Sequence, residues 1–248
     1  MNGEIEIREL LSRRNDLSAF LVHLTRDSEK RTAKRNLRQI LKTQVLQAKS
    51  AFGPASTLRR KSDKESQQCV SFTEVPLTHL HCLTSKIPKR QISLSPYGLA
   101  FTKMKARERG ANPVWYIDMT PGHDFLMKHV NKMIEQEDNG RFASSALAKI
   151  CPFIEQMGSG VRKSDNKRYQ KEFWWEREWR YVGDFRFFPA DVALGFAPED
   201  DIEEFEKMMH TPKRRSIRFV DPRWSADQII ARLACCRGTL SPFDVPED

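Results

Sequence analysis

Residues 174–180 read WWEREWR, two carboxylates set in an aromatic stretch of a chain whose formal charge is +9. Read as a strand, 174–182 alternates Trp174, Glu176, Glu178 and Arg180 on one face with Trp175, Arg177, Trp179 and Tyr181 on the other. Carboxylates about 7 Å apart on one strand face can hold different pKa values and divide labour, one orienting a substrate and one stabilising positive charge. The competing reading of the same residues is a charge ladder on a solvated strand, with Arg180 paired to the acids. The adjoining tryptophans Trp174, Trp175 and Trp179 argue against full solvation, and a partly buried carboxylate has to be compensated.

Two further groups carry polar side chains on one face of an apolar strand. His23-Leu24-Thr25 places an imidazole and a hydroxyl two residues apart, which can hold a sugar diol; the alternative is a structural histidine at a strand end. Ser71-Phe72-Thr73-Glu74 offers two hydroxyls in the same way, and such residues are also ordinary on half-buried strands. His79-Leu80-His81-Cys82, with Cys69, supplies metal-ligating types, but the spacing fits no familiar zinc pattern and His81 and Cys82 would diverge on a strand, so no metal is expected. The chain has no GxGxxG, GxxxxGK[ST] or GxSxG, which leaves dinucleotide-fold, P-loop and α/β-hydrolase chemistry without support.

The elements that must position these residues follow from the pattern of apolar positions. SAFLVHLT (18–25) reads as a buried strand. Asp27 can cap a helix from about 28 to 49, with Ala33, Leu37, Ile40, Leu41 and Val45 on one side. Its other side carries Lys34, Arg35, Arg38 and Lys42, a candidate surface for phosphate or nucleic acid. The cationic excess belongs to this quarter, with 15 Lys and Arg against 8 Asp and Glu over residues 1–68. Such a field raises encounter rates with phosphates without selecting one, and a solvated basic helix gives the same pattern.

Strands are expected at 69–73, 97–103, 112–119 and 216–221, and one or two more at 173–189. Helices are expected at 124–137, 143–157, 199–209 and after Ser225. The polar stretches 53–68 and 158–171 read as exposed basic loops. With 248 residues, 39% of them apolar, one domain can fill the chain, and the mixture of elements indicates the α+β class. No apolar run approaches a membrane span, and MNGEIEIREL lacks the pattern of a secretory signal. Five cysteines without a CxxC pair suit a reducing compartment, so a cytoplasmic location is expected.

Taken in order, LVHLTR (21–26), CVSFTEVPL (69–77), YGLAFTK (97–103), GANPVWYI (110–117) and EREWRY (176–181) resemble the AbiGi-like abortive-infection family of bacteria. That resemblance implies a role in phage resistance, as an antitoxin with a cognate toxin or another defence-system partner. The same order of blocks is similar to ADP-ribosyltransferases, including DarT-type DNA-modifying toxins, and implies that fold's split of antiparallel sheets with flanking helices. It further implies NAD consumed as a substrate and a nucleic-acid or protein acceptor. By that resemblance His23, Thr25, Ser71, Thr73 and Tyr97 would hold NAD. Glu178 would stabilise the oxocarbenium-like transition state, with Glu176 steering the acceptor. A catalytically silent antitoxin that binds its partner or nucleic acid through the basic helix is the alternative.

Overall fold

The computed structural model describes residues 14–86, 93–137, 142–161, 166–209 and 217–235. The elements begin with β1 (Phe20–Leu24), α1 (Ala33–Thr43), β2 (Val45–Leu46), α2 (Lys61–Ser66), β3 (Cys69–Thr73) and α3 (Leu80–Thr84). They continue with β4 (Gly98–Thr102), α4 (Lys103–Glu108), β5 (Asn112–Pro113), β6 (Trp115–Asp118), α5 (Phe125–Glu137) and α6 (Ala146–Ile150). Next come β7 (Ile154–Val161), β8 (Arg168–Lys171), β9 (Glu178–Val182) and β10 (Phe185–Arg186). The last are β11 (Val192–Phe196), α7 (Glu199–Met209), β12 (Phe219–Val220) and α8 (Ala226–Leu233). The α+β class expected from the sequence is observed. The described residues group into two compact units, those within 14–43, 76–102 and 188–235 forming the first and those within 44–75 and 103–187 the second.

In the first unit four strands lie side by side in the order β12-β11-β4-β1. β1 and β4 pair antiparallel from Phe20 opposite Thr102 to Leu24 opposite Gly98. β11 pairs antiparallel with β4 and parallel with β12. The apolar residues Leu21, Val22 and Leu24 of β1 are buried, and α1 buries Ala33, Leu37 and Leu41. Phe205 of α7 stacks on Phe219 of β12 with ring centroids 5.4 Å apart. Each such fully buried side chain contributes about 1.5–3 kcal/mol over an exposed one.

The basic helix is shorter than expected. Ser28 and Arg31 close a backbone turn on each other, so the helix starts at Ala33, whose N–H donates to the Asp27 carboxylate at 2.6 Å. It ends where Gln44 turns left-handed at φ 56°. In place of its expected last turn, Val45 and Leu46 pair with β10.

In the second unit β9 lies between β3 and β5, antiparallel to both. β7 lies between β6 and β8, parallel to β6 and antiparallel to β8. A core of Ala55, Leu58, Ile117, Val130, Phe142 and Ile154 packs beneath α5 and α6. Three expectations are corrected here. Segment 53–68 is not an exposed loop, because it folds into a 3-10 turn and α2 and buries Ala55, Leu58, Asp63 and Gln67. The described parts of 158–171 belong largely to β7 and β8, and 162–165 lie outside the described residues. The helix expected over 143–157 stops at Ile150, after which Cys151–Phe153 forms a 3-10 turn around Pro152 and Ile154 begins β7. Of the strand expected at 216–221, Ser216 lies outside the described residues and Phe219–Val220 pair with β11.

Candidate functional site

β9 is placed by its apolar and aromatic residues against β3, with Ser71 opposite Arg180 and Thr73 opposite Glu178. The strand starts only at Glu178. Trp174–Glu176 form a one-turn 3-10 helix and Arg177 is left-handed at φ 48°. The expected common face of Trp174, Glu176, Glu178 and Arg180 therefore exists only for Glu178 and Arg180. Trp174 projects to solvent, Glu176 is half-buried, and its carbonyl accepts the Thr73 hydroxyl at 2.5 Å. Trp179, on the opposite face of β9, donates its indole N–H to Glu74 at 2.7 Å, and Glu74 also receives Lys103 and Arg177.

Arg180 is the centre of the arrangement. Its side chain is 0% exposed, and every one of its five N–H groups has an acceptor. Nε donates to Glu178 Oε1 at 2.9 Å, and Nη2 reaches Glu178 Oε2 at 2.8 Å and Glu155 Oε2 at 2.5 Å. Nη1 donates to the Pro152 and Ile154 carbonyls at 2.8 and 3.1 Å, and the guanidinium lies 4.8 Å from the Phe52 ring centroid. Lys171 Nζ closes the set on Glu155 Oε1 at 2.5 Å.

Two cations thus face two carboxylates and the local charge balances, the condition for burying ions at all. Burial works against the charge of Arg180, yet Glu178 and then Glu155 outweigh it and hold the guanidinium protonated above its ordinary range. Burial likewise raises Glu155, but Arg180 and then Lys171 overcome it and keep that carboxyl below its usual range. The adjacent Cys69 and Cys151 thiols are each pushed up to about 12 by burial.

The structure brings two sequence-derived candidates together here. Ser71 Oγ donates to Glu178 Oε1 at 2.6 Å, so both Glu178 oxygens are occupied, and that side chain is 19% exposed. The Glu178 N–H donates to the Tyr116 hydroxyl at 3.3 Å. Burial, then the charge of Glu178, raises the Tyr116 phenol above its ordinary range. Sequence reasoning missed Glu155, which lay in an expected helix, and Glu74 as an acceptor, although Glu74 closes the SFTE block.

The other candidates belong to the first unit. His23 is half-buried on β1, where the backbone of Gly98 approaches so closely that a Cβ there would sit 2.4 Å from the His23 carbonyl oxygen. Thr25 is buried, its hydroxyl within bonding reach of the Ala33 and Tyr97 carbonyls, a structural position. Tyr97 donates its phenol O–H to Asp201 at 2.6 Å, and burial followed by that bond raises the phenol above its ordinary range.

The basic face of α1 is only partly open. Lys34 is held by Asp201 at 2.5 Å and Glu204 at 2.9 Å, and Arg38 pairs with Glu204. Arg35 and Lys42 are exposed. His81 and Cys82, expected to diverge on a strand, lie on α3 with Nε2 and Sγ 3.4 Å apart. Among the described residues no group of three or more His, Cys, Asp or Glu could hold a metal ion. No described helix is long and apolar enough to cross a membrane.

The family model described as "Putative abortive phage resistance protein AbiGi, antitoxin" matches residues 38–211, more than half of the sequence. The chain belongs to the AbiGi family. The AbiGi match contains Ser71, Thr73, Tyr97, Glu176, Glu178 and the whole Arg180 network, whereas His23, Thr25, Lys34 and Arg35 precede it. Comparison with curated proteins and with solved structures returned no match.

Proposed function

We propose that this AbiGi protein is the antitoxin half of an abortive-infection pair, acting in the cytoplasm by binding its cognate toxin and doing no chemistry on NAD. The supporting observation is the state of Glu178. A carboxylate that stabilises an oxocarbenium-like ribose does so by turning negative charge toward it. Both Glu178 oxygens instead receive the Arg180 fork, and Ser71 takes a further lone pair. A guanidinium with no spare donor is a structural clamp, and three of the roughly four lone-pair positions of its partner carboxylate are already taken.

One observation favours a second reading. The Ser71–Glu178 bond joins a second-strand hydroxyl to a late-strand glutamate, the pairing that the ADP-ribosyltransferase resemblance implies. In that reading the fold is the split-sheet transferase fold and NAD is the substrate, held by His23, Thr25, Ser71, Thr73 and Tyr97. Glu178 is then the catalytic carboxylate and Glu176 steers a nucleic-acid or protein acceptor.

The two readings separate in one pair of measurements on wild type and Glu178→Gln. Labelled NAD with cell extract should give equal, background transfer for both. Co-expression with the toxin gene of the same locus should relieve growth arrest equally for both. Transfer that is present in wild type and lost in a folded Glu178→Gln would establish the enzyme, and failure of wild type to rescue would end the antitoxin reading.

A further inference from the structure

The first unit carries an open groove of about 630 Å³ between α1 and the end of α7. Arg31, Arg35, Arg38 and Lys42 line one side, and Met208 and Met209, the last two residues of α7, contribute apolar surface. Met208 is 43% exposed. Along α1 the positions 35, 38 and 42 recur at helical spacing, so their cations rise in a row about 10 Å long at 1.5 Å per residue. Arg35 and Lys42 are exposed, whereas Arg38 leans on Glu204, which also takes Lys34.

We infer that this groove is the docking surface for an acidic, amphipathic helical segment of a partner protein, an inference that rests on the antitoxin reading and specifies its contact. Three features select that occupant. The row of cations spaced one to two helical turns apart matches carboxylates repeating at the same period on a facing helix. The methionines give an adaptable apolar seat for that helix's hydrophobic stripe, and arginine and methionine are the residue types enriched at the centres of protein interfaces.

The third feature argues against a phosphate backbone. α7 places Asp201, Glu203 and Glu204 within two turns of the methionines, and Glu203 is exposed. These carboxylates are paired, Asp201 and Glu204 with Lys34, Glu204 also with Arg38 and Glu203 with Lys207, so the flank of the groove alternates in sign where a strand of nucleic acid carries one sign throughout. A peptide helix can answer mixed signs with mixed signs, and electrostatic complementarity then sets both register and encounter rate.

The test uses the full chain and three probes in fluorescence anisotropy. The first is a synthetic five-turn amphipathic helix with glutamate on one face and leucine on the other, the second is the same peptide with every Glu replaced by Gln, and the third is an oligothymidine strand. The acidic peptide should bind, and binding should fall about tenfold or more for the Gln peptide and for the triple variant Arg31→Glu, Arg35→Glu, Lys42→Glu. Met208→Ala with Met209→Ala should weaken the acidic peptide several-fold, with circular dichroism and melting temperature unchanged. Binding of oligothymidine but not of the peptide, lost in the triple variant and indifferent to the methionines, would overturn the inference in favour of nucleic acid. So would growth rescue by the triple variant equal to wild type, an outcome that leaves the antitoxin reading standing. Failure of wild type itself to rescue would remove that reading, and the peptide arm would then decide the groove alone.

Discussion

Replacing Arg180 by Leu removes the donors that hold Glu178, Glu155 and the Pro152 and Ile154 carbonyls, and leaves two carboxylates in surroundings chosen for an ion pair. Deleting one partner of a buried pair costs about 3–5 kcal/mol. Lys171 still holds Glu155 and Ser71 still donates to Glu178, so the lower end, about 3 kcal/mol, is expected. At about 2–4 °C per kcal/mol for a chain of this size, the melting temperature falls by about 6–12 °C.

The pH dependence supplies a second readout with a definite sign. The folded Glu155 carboxyl titrates below its usual range, so its pairing contributes stability above the unfolded glutamate value and loses it as pH falls through the lower folded value. In Arg180→Leu the rise caused by burial is no longer opposed by the guanidinium, so the carboxyl takes up its proton sooner. The stability gap between wild type and variant should therefore narrow as pH drops past about 4.3. Urea unfolding followed by tryptophan fluorescence at neutral and acid pH measures both effects. Adding Glu155→Gln should restore part of the loss, as a double-mutant cycle. A cost under about 1 kcal/mol, or a gap that does not close in acid, would refute the clamp.

Two further predictions bear on the same unit. Burial that pushes Cys69 and Cys151 up to about 12 should leave both thiols unalkylated by iodoacetamide at mildly alkaline pH while the exposed Cys82 and Cys235 react. Peptide mass spectrometry reads this, and Cys151 labelling as fast as Cys82 would mean that the Arg180 pocket opens. Gly53→Ala should cost about 2–3 kcal/mol in urea unfolding, because its Cβ would meet the Ile154 carbonyl oxygen that Arg180 uses, at a φ that L residues rarely adopt. A shift below about 1 kcal/mol would show that this loop yields freely.

Elements set by local pattern were legible. The apolar-rich β1, the strand β3 at 69–73, the helix α7 at 199–209 and the Ser225 cap of α8, whose hydroxyl accepts from the Gln228 N–H, all appear where the sequence places them. What was illegible depends on partners distant in the chain. Ile154–Val161 carries helical spacing before it, yet pairing with β6 and β8 makes it a strand. The turn at 174–177 lacks the glycine or asparagine that announces a left-handed residue, and Arg177 is held there by its bond to Glu74, more than 100 positions away. The exposed-loop reading of 53–68 failed for a related reason. Its few apolar residues, Ala55 and Leu58, are all that the core beneath α5 requires of it.

The same distance effect decides how the candidate site is understood. From the strand alone, Glu178 and Arg180 are either an orienting pair or a surface ladder, and the deciding partner, Glu155, comes from β7. An apolar cluster of equal volume would often be as stable as a buried ion network, so stability alone does not account for five matched donors. Directionality does. The Arg180 fork accepts only one placement of β9 against the Pro152–Ile154 turn, and a slip of one residue would turn Arg180 away from Glu155 and Trp179 away from Glu74. Glu178 is thereby committed to the register of its own strand. A substrate ribose would have to compete with a guanidinium and a hydroxyl already in place. That competition is why Glu178→Gln, which keeps the shape and removes the charge, separates a clamp from a catalyst.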